Sequence, residues 1–308
     1  MEYGDAIIPL NSVGANRIAE KLILPSIYPP ESLKAEFRIG KSRFDFLADA
    51  GSPPGLIEVK ACTLCEEGVA MFPDAPSLRA VKHLEELASL AEEGEYRSRI
   101  LFVISNPNAE RFVPGIHTDP AFATALKRAA AGVDLQAAVV ACDQAGIVRL
   151  VKESIPIDLA PAEAAAADSG AYILRIYIES VSTIKVGALG TIRFEPGAYI
   201  YIGSAMQNLT RRVARHLRRR KRFRWHIDYL RDAAHQVEAF PIRSLKRLEC
   251  SLAREVAALA DEAVAGFGSS DCGCLSHLFR IDPEDSRLER LILRYRHQEA
   301  LKPYEGIT

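Results

Sequence analysis

The sequence predicts an α/β sandwich around a mixed sheet, followed by a smaller α+β domain. Three observations carry this expectation. Strand-like and helix-like segments alternate through the first half of the 308 residues, the pattern of a sheet covered by helices. The chain then passes through Pro156, Pro161 and a run of alanines, a composition that fits a domain boundary. Charge also divides near that point: residues 1–168 carry 16 Lys and Arg against 24 Asp and Glu, and the remainder carries 23 against 16. The expected division is a first domain over 1–155, a linker over 156–168, a second domain over 169–283 and a helical tail over 284–308.

Composition narrows the class. With 48% hydrophobic and 26% charged residues, the chain has the balance of a soluble globular protein. No apolar run approaches the ~20 residues that span a bilayer. The first residues lack the basic and apolar regions of a signal peptide, so a cytoplasmic protein is expected. In that compartment the six cysteines read as reduced thiols or metal ligands rather than disulfides.

In the first domain, residues 12–24 read as a capped amphipathic helix ended by Pro25. Glu20 lies on it, either solvated or reaching toward the acids described below. Strands are expected near 35–39, 43–49 and 55–61, and Glu66 to Ser77 reads as a loop. A helix over Leu78–Glu92 carries Arg79, Lys82 and His83 at neighbouring positions, with Arg79 and Lys82 as candidate phosphate contacts. Ile100–Ile104 is a continuous apolar run suited to a strand buried on both faces. A helix over 119–131 and strands near 135–141 and 146–151 complete the unit.

The chemistry of this half concentrates in a strand, turn, strand segment. Alternation places Glu58 and Lys60 on one face and Ile57 and Val59 on the other. A hairpin through the Gly/Pro-rich turn at 50–55 brings Asp45 beside them. Two close carboxylates raise each other's pKa unless a cation lies between them. Hard oxygen ligands suit Mg²⁺ or Mn²⁺. An ion so held activates water and stabilises charge on a phosphoryl group, with Lys60 orienting that water or the phosphate. Cys62-Thr63-Leu64-Cys65 has no second pair nearby and reads as two ordinary thiols.

In the second half, 171–178 and 198–203 read as strands, with a loop or short strand between them. From Arg211 to Arg224 there are nine Lys and Arg and no acid. A solvated helix face normally mixes signs, so this run predicts a polyanionic partner, DNA or RNA phosphate. Arg212, Arg215, His216 and Arg219 fall at helical spacing, and Phe223, Trp225, Ile227, Tyr229 and Leu230 read as anchors to the core. A strand over 236–242 and a helix from Leu245 carrying Glu249 follow. Gly266 to His277 reads as a compact loop. Cys272, Cys274 and His277, with Cys250, are an alternative zinc set, although their spacing is tighter than most structural zinc sites use.

Two resemblances attach to these residues. Arg43-Phe44-Asp45-Phe46, Ile57-Glu58-Val59-Lys60, the run Gly68 to Pro76, Lys82-His83-Leu84 and Ile100 to Ile104 resemble the sugar fermentation stimulation protein (SfsA) family over about residues 12–150. That resemblance implies a DNA-binding protein with a PD-(D/E)xK nuclease-like fold, with Asp45 and Glu58 on metal and Lys60 in catalysis. Members of that family usually begin with an OB-fold domain, for which no room is expected here. Gly170-Ala171-Tyr172, Tyr201-Ile202-Gly203, Arg212 with His216, and Glu249 resemble the GIY-YIG nuclease superfamily over about residues 169–281. It implies a central antiparallel sheet, Tyr172 and Tyr201 beside the reacting phosphodiester, Arg212 stabilising phosphoryl charge, His216 at the site, and Glu249 as a single metal-binding acid.

The combined expectation is a metal-dependent endonuclease acting on DNA through two nuclease-like domains, with Mg²⁺ or Mn²⁺ as cofactor. Arg211, Arg215, Arg219 and Lys221 are expected to bind nucleic acid. Two alternatives stay open: a DNA-binding regulator that retains nuclease folds without turnover, and an RNA-processing nuclease.

Overall fold

The structure, a computed structural model, describes residues 2–3, 6–7 and 14–301. The chain divides into two compact units between Ala162 and Glu163. Among the described residues, no helix is long and apolar enough to cross a membrane.

The first unit begins with the short strands β1 (Glu2–Tyr3) and β2 (Ala6–Ile7) and the helix α1 (Gly14–Ile18), which continues as a π turn over Ala19–Ile23. The predicted helix start at residues 12–13 lies outside the described residues. Strands β3 (Leu33–Ile39), β4 (Ser42–Ala48) and β5 (Gly55–Cys62) follow as an antiparallel meander. The segment expected as a loop instead forms β6 (Leu64–Glu66) and β7 (Val69–Phe72). Its turn residues, Glu67 and Gly68, both adopt positive φ and make it a hairpin. Next come α2 (Leu78–Glu92), β8 (Arg97–Ile104), β9 (Arg111–Pro114), α3 (Pro120–Ala129), β10 (Asp134–Cys142) and β11 (Val148–Lys152). Ser77 and Asp119 start α2 and α3 as N-caps, each accepting a backbone N–H from the first turn.

The main sheet runs β1-β2-β10-β8-β5-β4-β3, with β11 on β10. The pairs β5/β8 and β8/β10 are parallel because α2 and α3 cross over between them. Strand β8 shows why its sequence lacks alternation. Ile100, Phe102 and Ile104 join one core with Leu84, Leu87, Phe122 and Leu126 from α2 and α3. Leu101 and Val103 join the opposite core with Ala15, Ala19 and Ile23. Each fully buried Phe or Leu contributes about 1.5–3 kcal/mol by leaving water, so this two-faced strand anchors both layers.

The second unit contains the short helix α4 (Ala162–Ala166) at its entry, then β12 (Gly170–Ile178), β13 (Ser182–Lys185), β14 (Thr191–Phe194), β15 (Gly197–Ala205), α5 (Leu209–Leu217), α6 (His226–Ala233), β16 (Gln236–Arg243), α7 (Glu249–Ala257), β17 (Glu262–Ala263), β18 (Leu278–Ile281) and α8 (Arg287–Leu301). Its five-stranded sheet is antiparallel throughout, in the order β16-β12-β15-β18-β17. Period two divides β12 cleanly. Ala171 and Ile173 pack under α7 and α8, while Tyr172, Leu174 and Ile176 face α5 and α6.

Helix α8 falls in the segment read from the sequence as a helical tail over 284–308, free to dock on either domain or pair with another chain; through residue 300 it packs on the second unit. Leu288, Leu291, Ile292 and Tyr295 of α8 are buried in the same core as Ile200, Ile202 and Leu252. The Arg175 guanidinium also pairs with Glu289.

Candidate functional site

In the first unit, the β4/β5 ladder ends at Phe46 opposite Ile57. Phe44 and Phe46, two residues apart, lie in opposite cores, so regular alternation fails at Asp45. There the Asp45 carboxylate takes the place of a ladder partner: Oδ2 accepts the Val59 N–H at 2.7 Å, and Oδ1 accepts from the Asn16 side chain at 2.7 Å. Glu58 lies next to it. Its Oε1 meets Nδ1 of His83 at 2.7 Å and the Lys60 ammonium. Its Oε2 is buried and has no partner.

The electrostatics are asymmetric. Burial and the Glu58 charge raise the Asp45 pKa, outweighing the hydrogen bonds from Val59 and Asn16. Burial also opposes ionisation of Glu58, but the His83 hydrogen bond and the Lys60 charge outweigh it and hold that carboxyl below its usual range. A pair of acids with one orphaned buried oxygen suits a hard divalent cation, which would relieve both the orphan and the repulsion. Asp45, Glu58 and Lys60 therefore converge as their spacing suggests.

Glu20 is not the helix residue that reaches Asp45; Asn16 is, and Glu20 pairs with Lys21 at 3.9 Å. His83, grouped in sequence with the exposed Arg79 and Lys82, turns inward instead, because the helix places it on the face that covers Glu58. Lys82 stays on the surface, with its ammonium 3.5 Å from Glu86. Cys62 and Cys65 are buried thiols, and Cys62 Sγ contacts the Met71 carbonyl at 3.2 Å.

In the second unit, Tyr172, Tyr201, Arg212 and Glu249 line one cleft of about 540 Å³, with Gly203, Ser204, Arg224, Trp225 and Arg247. Tyr172 on β12 pairs across the sheet with Gly203 on β15. The phenol lies where a side chain at 203 would stand, so a Cβ there would collide with its hydroxyl and Cζ. The glycine is thus required by the tyrosine it faces. Tyr172 Oη lies 3.0 Å from Nε2 of His216, and Arg212 donates to the Ser204 carbonyl at 2.8 Å. Glu249, at the start of α7, accepts from the Ser204 hydroxyl through Oε2. Its Oε1 lies 3.2 Å from Nδ1 of His277, an ion-pair approach rather than an aligned hydrogen bond.

Burial pushes the Tyr172 phenol above its ordinary pKa, against the opposing Arg212 charge, and burial raises Tyr201 as well. Burial and the nearby Lys221 lower His216 to about 4, so its imidazole is neutral at pH 7. Glu249 is held below its usual range: burial opposes its charge, but His277 and the Ser204 hydroxyl outweigh it. A single ionised carboxylate facing a polar cleft suits a hydrated divalent cation bound by one protein ligand.

The basic run divides in a way its composition conceals. Helix α5 ends at Leu217, so Arg219 lies beyond it and off its face. Arg215 and Lys221, expected to meet phosphate, face inward to the fully buried Asp228. Arg215 binds both carboxylate oxygens at 3.0 and 2.9 Å, and Lys221 approaches at 3.1 Å. The N–H groups of Arg224 and Trp225 also donate to Asp228, at 2.8 and 3.1 Å. These partners hold its carboxyl well below the ordinary range despite burial. Asp228 is the first acid after the run, and that position was its only sequence signal. Arg211, Arg218, Arg219, Arg220, Arg222 and Arg224 remain exposed. Trp225, expected in the core, is 36% exposed and within 4.3 Å and 5.3 Å of the Arg215 and Arg212 guanidinium carbons.

Comparison with known proteins follows this division. The model of the sugar fermentation stimulation protein RE domain matches residues 11–146, and the domain of unknown function DUF123 matches 171–299. The second match includes most of α8. A sugar fermentation stimulation protein homolog of Desulforamulus reducens is 39% identical over 51% of this chain and 67% of its own length. One from Carboxydothermus hydrogenoformans is 40% identical over 46% of this chain and 64% of its own length. The chain thus spans only about two thirds of the curated relatives it matches. The solved Pyrococcus furiosus SfsA, in complex with Ca²⁺, is 31% identical with a TM-score of 0.47, covering 51% of this chain and 70% of that one. The chain belongs to the sugar fermentation stimulation protein family, and its second unit is a GIY-YIG-like domain.

Proposed function

We propose that the protein is a metal-dependent endonuclease acting on DNA, with one phosphodiester-cleaving site in each unit. The observation that carries this reading is the cleft of the second unit. There a carboxylate, a guanidinium and a tyrosine hydrogen-bonded to a neutral histidine line or adjoin one space beside exposed cations. Phosphoryl transfer asks chiefly for positioning and charge stabilisation, which these groups supply.

Glu249 would hold Mg²⁺ or Mn²⁺ in the cleft, and Asp45 with Glu58 would hold one in the first unit. The ion supplies charge to phosphoryl oxygens and lowers the pKa of a water. Arg212, fixed by the Ser204 carbonyl, stabilises the charge that develops on the phosphoryl group. Tyr172 is neutral at rest, so it relays a proton. Its hydroxyl gives a proton to Nε2 of His216 as its oxygen takes one from the attacking water. Asp228, 3.9 Å from Nδ1, favours the imidazolium so formed. In the first unit, Lys60 keeps an ammonium beside the acid pair for a phosphate oxygen or the water. The exposed arginines after α5 would hold the strand by phosphate neutralisation.

The test is cleavage of single-stranded, nicked and branched DNA with Mg²⁺ or Mn²⁺, with matched RNA as a comparison. Glu58→Ala and Glu249→Ala should each abolish one activity while leaving the chain folded. Unchanged cleavage by the double variant defeats the reading. DNA binding without turnover in the wild type leaves a DNA-binding regulator.

A further inference from the structure

Three cysteines of the second unit, with His277 beside Glu249, form a cluster that the proposed cleavage step does not use. The side chains of Cys250, Cys272, Cys274 and His277 offer four ligand atoms, all within 4.8 Å of one another. Cys250 is on the first turn of α7, and the other three close the loop between β17 and β18. We infer that these residues form a structural zinc site with a Cys3His ligand set, which ties this loop to α7 and orients His277 toward Glu249.

The geometry matches one tetrahedral ion. With Zn–S about 2.3 Å and Zn–N about 2.0–2.1 Å, tetrahedral ligands stand about 3.6 Å apart for S···N and about 3.8 Å for S···S. Cys272 Sγ lies 3.4 Å from Nε2 of His277, and every other pair of the four ligand atoms lies within 4.8 Å, close enough to share one ion. Three thiolates and an imidazole are soft to borderline donors, which favour zinc over Mg²⁺ or Ca²⁺. Four protein ligands leave no open position, the mark of a structural rather than a catalytic centre.

The surrounding fold gives such an ion work to do. The loop from Gly266 to His277 has little regular structure, with Gly266 and Gly268 at positive φ. A few hydrogen bonds fix it, among them His277 N–H to the Phe267 carbonyl at 2.8 Å. Gly268 is packed so closely that a Cβ there would come 2.9 Å from the Tyr201 ring. The loop is therefore part of the cleft wall, and Gly268, Ser270 and Asp271 line the cleft. A crosslink from loop to helix would hold that wall in place. His277 carries the effect further: with Nε2 on the ion, Nδ1–H is left to face Oε1 of Glu249 at 3.2 Å. Metal-bound histidines commonly donate their second nitrogen to a carboxylate in this way. The consequence for Glu249 rests on the proposed cleft chemistry; the zinc site itself does not.

The experiment uses the full chain purified without chelator. Metal analysis should return about one zinc per chain, as a closed four-ligand site requires. Cobalt(II) exchanged into that position should give the intense visible bands of a tetrahedral ion with thiolate charge transfer. Cys274→Ser should weaken zinc binding at least tenfold, while Cys142→Ser, outside the cluster, leaves it unchanged. Should the Cys274 variant misfold, thiol counting in the wild type decides. Cys62 and Cys65 are buried, so only Cys142 should react in the native protein, with Cys250, Cys272 and Cys274 reacting after chelation. Background zinc with a weak octahedral cobalt spectrum, or four reactive thiols before chelation, overturns the inference. Loss of nuclease activity alone leaves both readouts untouched and bears only on the cleft.

Discussion

Replacing Asp228 with asparagine should destabilise the second unit by about 3 kcal/mol, with little change in shape. The carboxylate is fully buried and accepts from Arg215, Lys221 and two backbone N–H groups. Asparagine keeps one acceptor oxygen but points an NH₂ group at cations and removes their counter-charge. Uncompensating a buried pair costs about 3–5 kcal/mol. Here the Arg215 side chain is 19% exposed and recovers some solvation, which favours the lower end. Urea denaturation followed through Trp225, the one tryptophan in the chain, reads this unit directly. With a urea slope of about 1–3 kcal/mol/M, the midpoint should fall by about 1–3 M. Arg211→Ala, an exposed change in the same run, should stay within about 0.5 kcal/mol. The depressed pKa means that the Asp228 contribution is present above the unfolded value near 3.8 and lost only as pH falls through the lower folded value. The deficit should therefore be constant from about pH 5 to 8. A loss under about 1 kcal/mol would show that the inward cations are not held by this carboxylate.

Other consequences follow from the same geometry. Asp45→Asn should stabilise the metal-free first unit at pH 7, because a raised folded pKa means that ionised Asp45 costs stability above its titration. The same change should erase any Mg²⁺-dependent gain in melting temperature, and a lower melting temperature in the metal-free variant would contradict the proposed acid repulsion. Gly203→Ala should cost about 1–3 kcal/mol through overpacking; Tyr172→Ala in the same chain should relieve the cost, measured by a double-mutant cycle. His216, neutral and buried with a folded value of about 4 against 6.5 unfolded, should make stability fall as pH drops between those values. That shift corresponds to about 3 kcal/mol, and His216→Gln should flatten the slope seen by Trp225 fluorescence.

The sequence alone specified a good deal, wherever a local pattern carried the physical cause. Alternation put Glu58 and Lys60 on one face, and they pair there. The unbroken apolar run at 100–104 announced a strand covered on both sides, as β8 is. Helix α2 matched its expected limits because Ser77 caps its start and the residues behind it are good helix formers. Tyr172, Gly203, Arg212 and Glu249 were legible as a set through family resemblance, and the cross-strand pairing of Tyr172 with Gly203 supplies the steric reason for the glycine.

Only the tertiary structure decided which charges face solvent and which face each other. The basic run looked uniform, yet Arg215 and Lys221 turn inward to an acid beyond its end. His83 left the surface set for Glu58, and Asn16 rather than Glu20 reached Asp45. Helix α8, apart in sequence, completes a core, and three loop residues meet Cys250 although 22 positions separate it from Cys272. Periodicity reports which face of an element is apolar. It carries no information about which distant element will cover that face, and buried ion pairs and metal ligands depend on that choice.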